Sequence, residues 1–113
     1  MQTKLGRYLY LFCFFDLPTK TKKDRKIYSK FRKKLLDIGF LMLQYSVYIC
    51  IVRGRHQAEK IIKKIENIAP KNGTIKILYV TDKQYEKMVC IDNKDYKKED
   101  EALKIGTQGI IEF

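Results

Sequence analysis

One strand-like run, YLYLFCFFD at residues 8–16, constrains the fold more than any other feature of this sequence. Eight apolar or aromatic residues precede a single aspartate, so neither face of an extended segment would be wettable. Such a run is typical of a strand that is buried on both faces. One face would carry Tyr8, Tyr10, Phe12 and Phe14, and the other Leu9, Leu11, Cys13 and Phe15. Both faces of the sheet therefore need a cover.

The rest of the chain alternates between helical and strand-like patterns. Apolar residues at helical spacing predict an amphipathic helix over 22–38, which begins at the capping pair Thr21 and Asp24 and ends at Gly39. The sequence then predicts strands at 40–44 and 46–52, a helix at 56–69, a turn at 71–73, a strand at 74–81, a short turn and another strand within 83–91, a loose polar stretch at 92–104 and a last strand at 109–113.

The order β-α-β-β-α-β, followed by extra strand material, predicts an α+β protein of the ferredoxin-like, split βαβ type. Two helices would cover one face of an antiparallel sheet. We expect residues 1–91 to form this domain, and residues 92–113 to form a flexible segment with a C-terminal strand. Because only two helices are available, the second face needs another cover. A second copy joined sheet to sheet, as a homodimer, is the simplest candidate.

Charge is the strongest compositional signal. The 113 residues contain 24 Lys and Arg against 13 Asp and Glu, a formal net charge of +11. This excess favours nucleic acid first and an anionic membrane surface second, although a Lys-rich genome would also produce it. The three cysteines show no CxxC spacing and His56 is the only histidine, which argues against zinc and for a cytoplasmic location. A run of eight apolar residues is too short to span a bilayer, so no membrane partner is expected.

Asp16 is the candidate catalytic residue, because the sequence contains no Ser/His/Asp set and no glycine-rich phosphate loop. It stands at the carboxyl end of the first strand, where ligand sites often form in open sheets. One carboxylate makes a poor Mg²⁺ site, but a dimer axis near this end would bring two Asp16 side chains to one shared metal. The alternative is a turn aspartate that hydrogen-bonds its own backbone ahead of Pro18.

Basic residues form a candidate nucleic-acid-binding surface around the first helix. They are Lys20, Lys22, Lys23, Arg25, Lys26, Lys30 and Lys33, together with Arg53 and Arg55 at the end of a later strand. Contacts from these residues to phosphates would hold duplex DNA without reading its sequence. The aromatic residues lie outside any RNP1-type pattern, so core packing is expected for them. The alternative is an ordinary solvated helix face.

Several stretches of the chain resemble the CRISPR-associated protein two family, the smaller partner in spacer acquisition, and its type II branch in particular. They are FFDLPTKTKKDRKIYSKFRKKLLDIGF (14–40), LQYSVYI (43–49), PKNGTIKILYVTDKQYEKM (70–88) and the closing strand, which together cover nearly the whole chain. The resemblance implies a ferredoxin-like homodimer in which C-terminal strands extend the sheet of the neighbouring protomer. It also implies that Asp16 is the metal-binding aspartate shared across the dimer axis.

The same resemblance implies a function. Members are Mg²⁺-dependent endoribonucleases, and some cut double-stranded DNA. Members also join the larger CRISPR-associated integrase, bridging its two dimers around duplex DNA in a complex where the aspartate is dispensable. We therefore expect an adaptation protein that binds duplex DNA and bridges the integrase, with cleavage of single-stranded RNA or duplex DNA, dependent on Mg²⁺ or Mn²⁺, as a further activity. The alternative is a metal-dependent endoribonuclease that acts independently of the integrase.

The chain departs from the family pattern in two places. Phe15 stands where many members have tyrosine, and Met42 stands where some have arginine. Both departures remove polar groups near the expected metal, so they bear on hydrolysis more than on the fold.

Overall fold

A computed structural model describes residues 8–92 of the protein. In chain order the elements are β1 (Tyr8–Asp16), α1 (Lys22–Ile38), β2 (Leu41–Gln44), β3 (Val47–Arg53), α2 (Arg55–Ile68), β4 (Thr74–Thr81) and α3 (Asp82–Glu86). This order confirms the predicted α+β, ferredoxin-like class. The expected strand at 109–113 and the flexible segment from residue 93 onward lie outside the described residues.

The four strands form one sheet in the order β2-β3-β1-β4, and each neighbouring pair is antiparallel. β1 is therefore a central strand, flanked by β3 and β4 along most of its length. Leu11 lies opposite Cys50 on one side and Tyr79 on the other. This central position explains why the sequence of β1 is apolar on both faces.

Local sequence signals set the bounds of α1. The Thr21 hydroxyl accepts a hydrogen bond from the Asp24 N–H at 3.0 Å, and the Asp24 carboxylate accepts one from the Thr21 N–H at 3.2 Å. This reciprocal pair is the predicted capping box. At the other end Gly39 has a φ of 124°, a conformation that suits glycine, and its N–H donates to the carbonyls of Leu35 and Leu36.

Both long helices pack on the same face of the sheet, as predicted. Phe31 and Leu35 of α1 and Ile61 and Ile65 of α2 join the main core, in which β1 contributes Leu9, Leu11, Cys13 and Phe15. We call this side the helix-covered face. Leu11, Cys13 and Leu35 have no solvent-exposed surface there. None of the helices within residues 8–92 combines the length and apolarity needed to cross a membrane.

The predicted strand within 83–91 is wrong. Residues 82–86 form α3, and no strand follows through residue 92. Thr81 and Gln84 form a second capping box, which starts a helix immediately after β4. The sequence analysis did not predict this cap. Tyr85 of this short helix stacks on Tyr10 with ring centroids 4.3 Å apart, so α3 covers part of the other side of the sheet. We call that side the second face.

Candidate functional site

Asp16 is the last residue of β1, and its side chain is exposed. It lies opposite Thr74 of β4, and the alternation of side chains places it on the second face together with Phe14. An open depression of about 380 Å³ surrounds it, lined also by Ser46, Thr74 and Lys76. Strand pairing puts the side chains of Thr74 and Lys76 on the same face as Asp16, so a carboxylate, a hydroxyl and an ammonium group lie around the same solvent-accessible space.

The turn before β4 approaches the end of β1 very closely. Gly73 has a φ of 100°, and a Cβ atom placed there would lie 2.7 Å from the Asp16 carbonyl oxygen and 2.6 Å from Leu17 Cδ2. Real Cβ atoms do not tolerate such distances, so only glycine fits this turn. The sequence predicted a turn at 71–73, but not that it holds the Asp16 backbone in place.

The β2–β3 hairpin forms the opposite wall of the depression. The Phe15 N–H donates to the Ser46 carbonyl at 3.2 Å, which joins the hairpin turn to the residue before Asp16. Ser46 has a φ of 61°, the left-handed conformation, and so lies in the turn, whereas the sequence assigned it to the following strand. The Tyr28 hydroxyl lies 3.2 Å from the Ser46 hydroxyl and links α1 to the same turn.

The two departures from the family pattern lie on the helix-covered face. Phe15 is 4% exposed, and its ring packs edge-on against Phe31 with centroids 5.2 Å apart. Met42 is partly buried in the same core. The Phe15 side chain therefore points away from the face that carries Asp16.

The structure divides the predicted nucleic-acid-binding residues into two groups. Lys20 lies in the loop after β1, and Lys22, Lys23, Arg25, Lys26, Lys30 and Lys33 lie on α1, which begins six residues after the end of β1. Arg53 instead pairs with Tyr8 at the start of β1, and Arg55 opens α2 beside it. Asp16 lies eight residues after Tyr8 along the extended strand, a distance of about 26 Å at ~3.3 Å per residue. Arg53 and Arg55 therefore lie at the opposite end of the sheet from Asp16.

Two of the predicted arginines have intramolecular partners. The Arg25 guanidinium donates to the carbonyl oxygens of Thr19 and Lys20, at 3.1 and 3.0 Å, and so braces the loop that follows Asp16. The Arg53 guanidinium lies 5.7 Å above the Tyr8 ring and donates to the Tyr8 hydroxyl at 3.4 Å. Both arginines therefore have a structural role, whatever they bind in addition.

Metal-ligating groups are sparse within one chain. Among residues 8–92, no group of three or more His, Cys, Asp or Glu side chains comes together. Burial raises the pKa of the Cys13 thiol to about 12 and that of Cys50 to about 11, so neither thiol ionises at neutral pH. His56 is exposed on α2, as a surface residue would be. Asp16 therefore stays the candidate metal ligand, with one carboxylate per chain.

These features define a class: a small, basic, ferredoxin-like protein with one exposed carboxylate at the end of its central strand. Comparison with known proteins narrows this class. Residues 9–88 match the family described as "CRISPR associated protein Cas2". The chain belongs to this family, as its resemblance predicted.

Curated relatives agree with this assignment. A Flavobacterium psychrophilum protein is 51% identical over 85 residues, which cover 74% of this chain and 74% of the relative. A Campylobacter jejuni protein is 40% identical over 82 residues, 73% of this chain and 57% of the relative. A Ligilactobacillus salivarius protein is 42% identical over 88 residues, 78% of this chain and 87% of the relative. Each is named "CRISPR-associated endoribonuclease Cas2".

Proposed function

We propose that this protein is a CRISPR-associated endoribonuclease in which two protomers bring their Asp16 carboxylates to one shared Mg²⁺, with Mn²⁺ as the alternative ion. The observation that carries the proposal is the exposed Asp16 carboxylate at the end of an otherwise apolar strand. The names of the relatives support cleavage of RNA. An endoribonuclease hydrolyses a phosphodiester bond, and a metal held by Asp16 could promote this reaction.

The residues around Asp16 fit a hard divalent cation. Thr74 lies directly opposite Asp16, so its hydroxyl and the Asp16 carboxylate offer oxygen donors, which Mg²⁺ prefers. Protein sites often hold Mg²⁺ through one or two carboxylates and leave its other positions to water and phosphate oxygens. Bound there, the ion would neutralise the paired carboxylates and stabilise the charge that develops on the phosphodiester. Lys76 adds a positive charge for the substrate phosphate.

The exposed apolar patch on the second face supports a homodimer that would make this pairing possible. Phe14 is 38% exposed and Leu78 54% exposed, and both line an apolar hollow of about 230 Å³ on this face. Burying such a patch against a second copy removes apolar surface from water. Asp16 shares the face with Phe14, so the contact that covers Phe14 would also draw the two carboxylates together.

A second function, holding duplex DNA and bridging the integrase dimers in spacer acquisition, is favoured by the charge of α1. Its 17 residues carry eight Lys and Arg but only two Asp, a net charge of +6. An exposed cationic helix binds a phosphate backbone without reading bases, and binding of this kind weakens steeply with salt. The two functions share the same dimer, so one protein can serve both.

The first test compares Asp16→Asn with Asp37→Asn, which removes another exposed carboxylate from the end of α1. Purified proteins are assayed with and without Mg²⁺ on single-stranded RNA and on duplex DNA. We expect Asp16→Asn to abolish cleavage and Asp37→Asn to retain it. Equal cleavage by both variants would refute the role of Asp16. If the unmodified protein binds the duplex but cleaves neither substrate, the nuclease function is refuted and only the second function remains.

The second test reverses three charges on one helix. Lys23, Lys26 and Lys30 of α1 are changed to Glu, and the matched control changes Lys60, Lys63 and Lys64 of α2 to Glu, for the same change in net charge. We expect only the α1 variant to lose duplex binding at low salt. Equal losses in both variants would mean that net charge, and not the surface of α1, attracts the duplex.

A further inference from the structure

The tip of the β2–β3 hairpin carries an exposed aromatic side chain that the proposed function does not use. Tyr45 is 75% exposed, about twice the exposed fraction of any other Phe or Tyr within residues 8–92. A large ring exposed in this way keeps its apolar surface in water and so adds no hydrophobic stabilisation to the folded state. A ring held at such a position is suited to contact with a ligand.

The Tyr45 ring has an aromatic neighbour on α1. It lies nearly parallel to the Tyr28 ring, with centroids 6.3 Å apart and planes 21° apart. Tyr28 is anchored in turn by its contact with Phe15 and by the hydrogen bond between its hydroxyl and that of Ser46. One face of the Tyr45 ring therefore has a protein neighbour, and the high exposure of the residue leaves its other face open. The ordinary pKa of a tyrosine is 10.0, and the Tyr28 hydroxyl raises that of Tyr45 further, so the phenol is uncharged at neutral pH and does not repel phosphate.

The turn that carries Tyr45 borders the depression that contains Asp16. Tyr45 precedes Ser46, whose carbonyl accepts the hydrogen bond from the Phe15 N–H, and Asp16 follows Phe15. Ser46 and Asp16 line the same depression. On the other side, Tyr28 belongs to the cationic helix α1. The turn that carries Tyr45 therefore lies between the Asp16 end of β1 and the cationic helix α1.

We propose that Tyr45 stacks on an unpaired base of a single-stranded nucleic acid whose backbone enters the Asp16 depression. Every nucleobase offers a π-face, so such stacking requires no sequence, whereas the bases inside a duplex already stack on their neighbours. The positive charge of α1 complements the phosphates that flank the stacked base. This inference deepens the proposed endoribonuclease function and rests on it: Tyr45 selects single strands for the site that Asp16 defines.

The experiment measures binding apart from cleavage. In an Asp16→Asn background without divalent ions, fluorescence anisotropy gives the Kd for a labelled 12-nucleotide single-stranded RNA and for a duplex of the same length. We expect Tyr45→Ala to weaken single-strand binding by about fivefold or more, the range for loss of one stacked base, and to leave duplex binding within about twofold. Tyr45→Trp should restore single-strand binding, because the larger ring stacks at least as well.

A matched control is Tyr79→Ala, which removes another partly exposed tyrosine, 38% exposed on β4. It should leave both Kd values unchanged. An unchanged single-strand Kd in Tyr45→Ala, or an equal loss for single strand and duplex, would overturn the inference while leaving the role of Asp16 intact. Conversely, if the protein with native Asp16 cleaves nothing but Tyr45→Ala still loses single-strand binding, the nuclease proposal fails and the base-stacking role stands.

Discussion

The two faces of the sheet carry alternate residues of the same strand β1, yet they differ in how much apolar surface is buried. On the helix-covered face, Leu11 and Cys13 have no exposed surface beneath α1 and α2. On the second face, Tyr10 and Phe12 are almost as buried, but Phe14 is 38% exposed. The apolar side chains of β1 are therefore fully buried within the protomer on the helix-covered face only. The apolar surface that stays exposed on the second face is available for assembly.

The second face is covered unevenly along its length. Tyr85 of α3 stacks on Tyr10 and reaches Phe12, whose ring centroid lies 5.8 Å away. Toward the Asp16 end, no described element covers Phe14 or its neighbour Leu78, which is 54% exposed. A five-residue helix is too short to shield the whole strand. The proposed homodimer would bury this uncovered part, which adjoins the proposed metal site.

The largest expected difference between the faces concerns stability. Leu35→Ala, in the helix-covered core, should lower the free energy of unfolding by about 2–5 kcal/mol, because it leaves a cavity at a fully buried position. Leu78→Ala, on the second face, should cost the isolated protomer less than about 1 kcal/mol, since its side chain is already half in water there. Urea denaturation at a protein concentration low enough to keep the protein monomeric measures both values. Equal costs would mean that the two faces are equally packed.

Self-association, unlike stability, should be more sensitive to substitutions on the second face. Leu78→Glu places a charge in the proposed dimer contact and should raise the dimer Kd by about tenfold or more, because a buried unpaired charge is costly. Leu36→Glu, which changes an exposed leucine of α1, serves as the control and should not alter association. Sedimentation velocity over a concentration series measures the Kd. A monomeric unmodified protein at all concentrations would contradict the assignment of the second face.

Alkaline pH offers a third test, because both shifted thiols belong to the helix-covered core. Burial raises the pKa of Cys13 from 9.0 to about 12 and that of Cys50 to about 11. Above pH 9 the unfolded chain loses these protons while the folded chain retains them. The unfolded state then binds fewer protons, so the free energy of unfolding falls as pH rises from 9 toward 11. Below pH 9 this contribution is fully present.

The thiol effect is isolated by the difference between the unmodified protein and the Cys13→Ala, Cys50→Ala double variant, measured from pH 8 to 11. The double variant should lose less stability over this range. A thiol reagent at pH 8 provides a second readout: Cys90 is exposed and should react in the native state, whereas Cys13 and Cys50 should react only after unfolding. Rapid native reaction of all three thiols would show that the helix-covered face is not closed.

The smallest expected effects come from the two capping boxes. Thr21→Ala removes the cap of α1 and should lower the free energy of unfolding by about 1 kcal/mol. Thr81→Ala removes the cap of α3 and should cost less, because a five-residue helix can open locally without unfolding the sheet. Hydrogen exchange should then report faster exchange at Tyr85 in Thr81→Ala alone. If both variants lose equal global stability, α3 is as integral to the fold as α1.

Much of the fold could be predicted from the sequence, because helix caps and strand alternation are set by residues close together in the chain. The helix at 22–38 was predicted with its observed bounds, since the Thr21 capping box and Gly39 encode both ends within a few residues. The alternation of β1 likewise follows from the geometry of any strand. The run at 82–86 was misread, because its cap was not recognised and because its stability depends on Tyr85 reaching Tyr10, 75 residues earlier in the chain.

For the site, the sequence by itself determined the acid and the charge: Asp16 at a strand end, and a basic helix directly after it. Only the tertiary structure decided what surrounds that acid. Strand register brought Thr74 and Lys76 beside it and left Arg53 at the far end of β1, while the hairpin turn set Tyr45 next to Tyr28. These neighbours come from segments 12 to 60 residues away from Asp16 along the chain. Their proximity depends on how whole elements pair and pack, which no local pattern of side chains encodes.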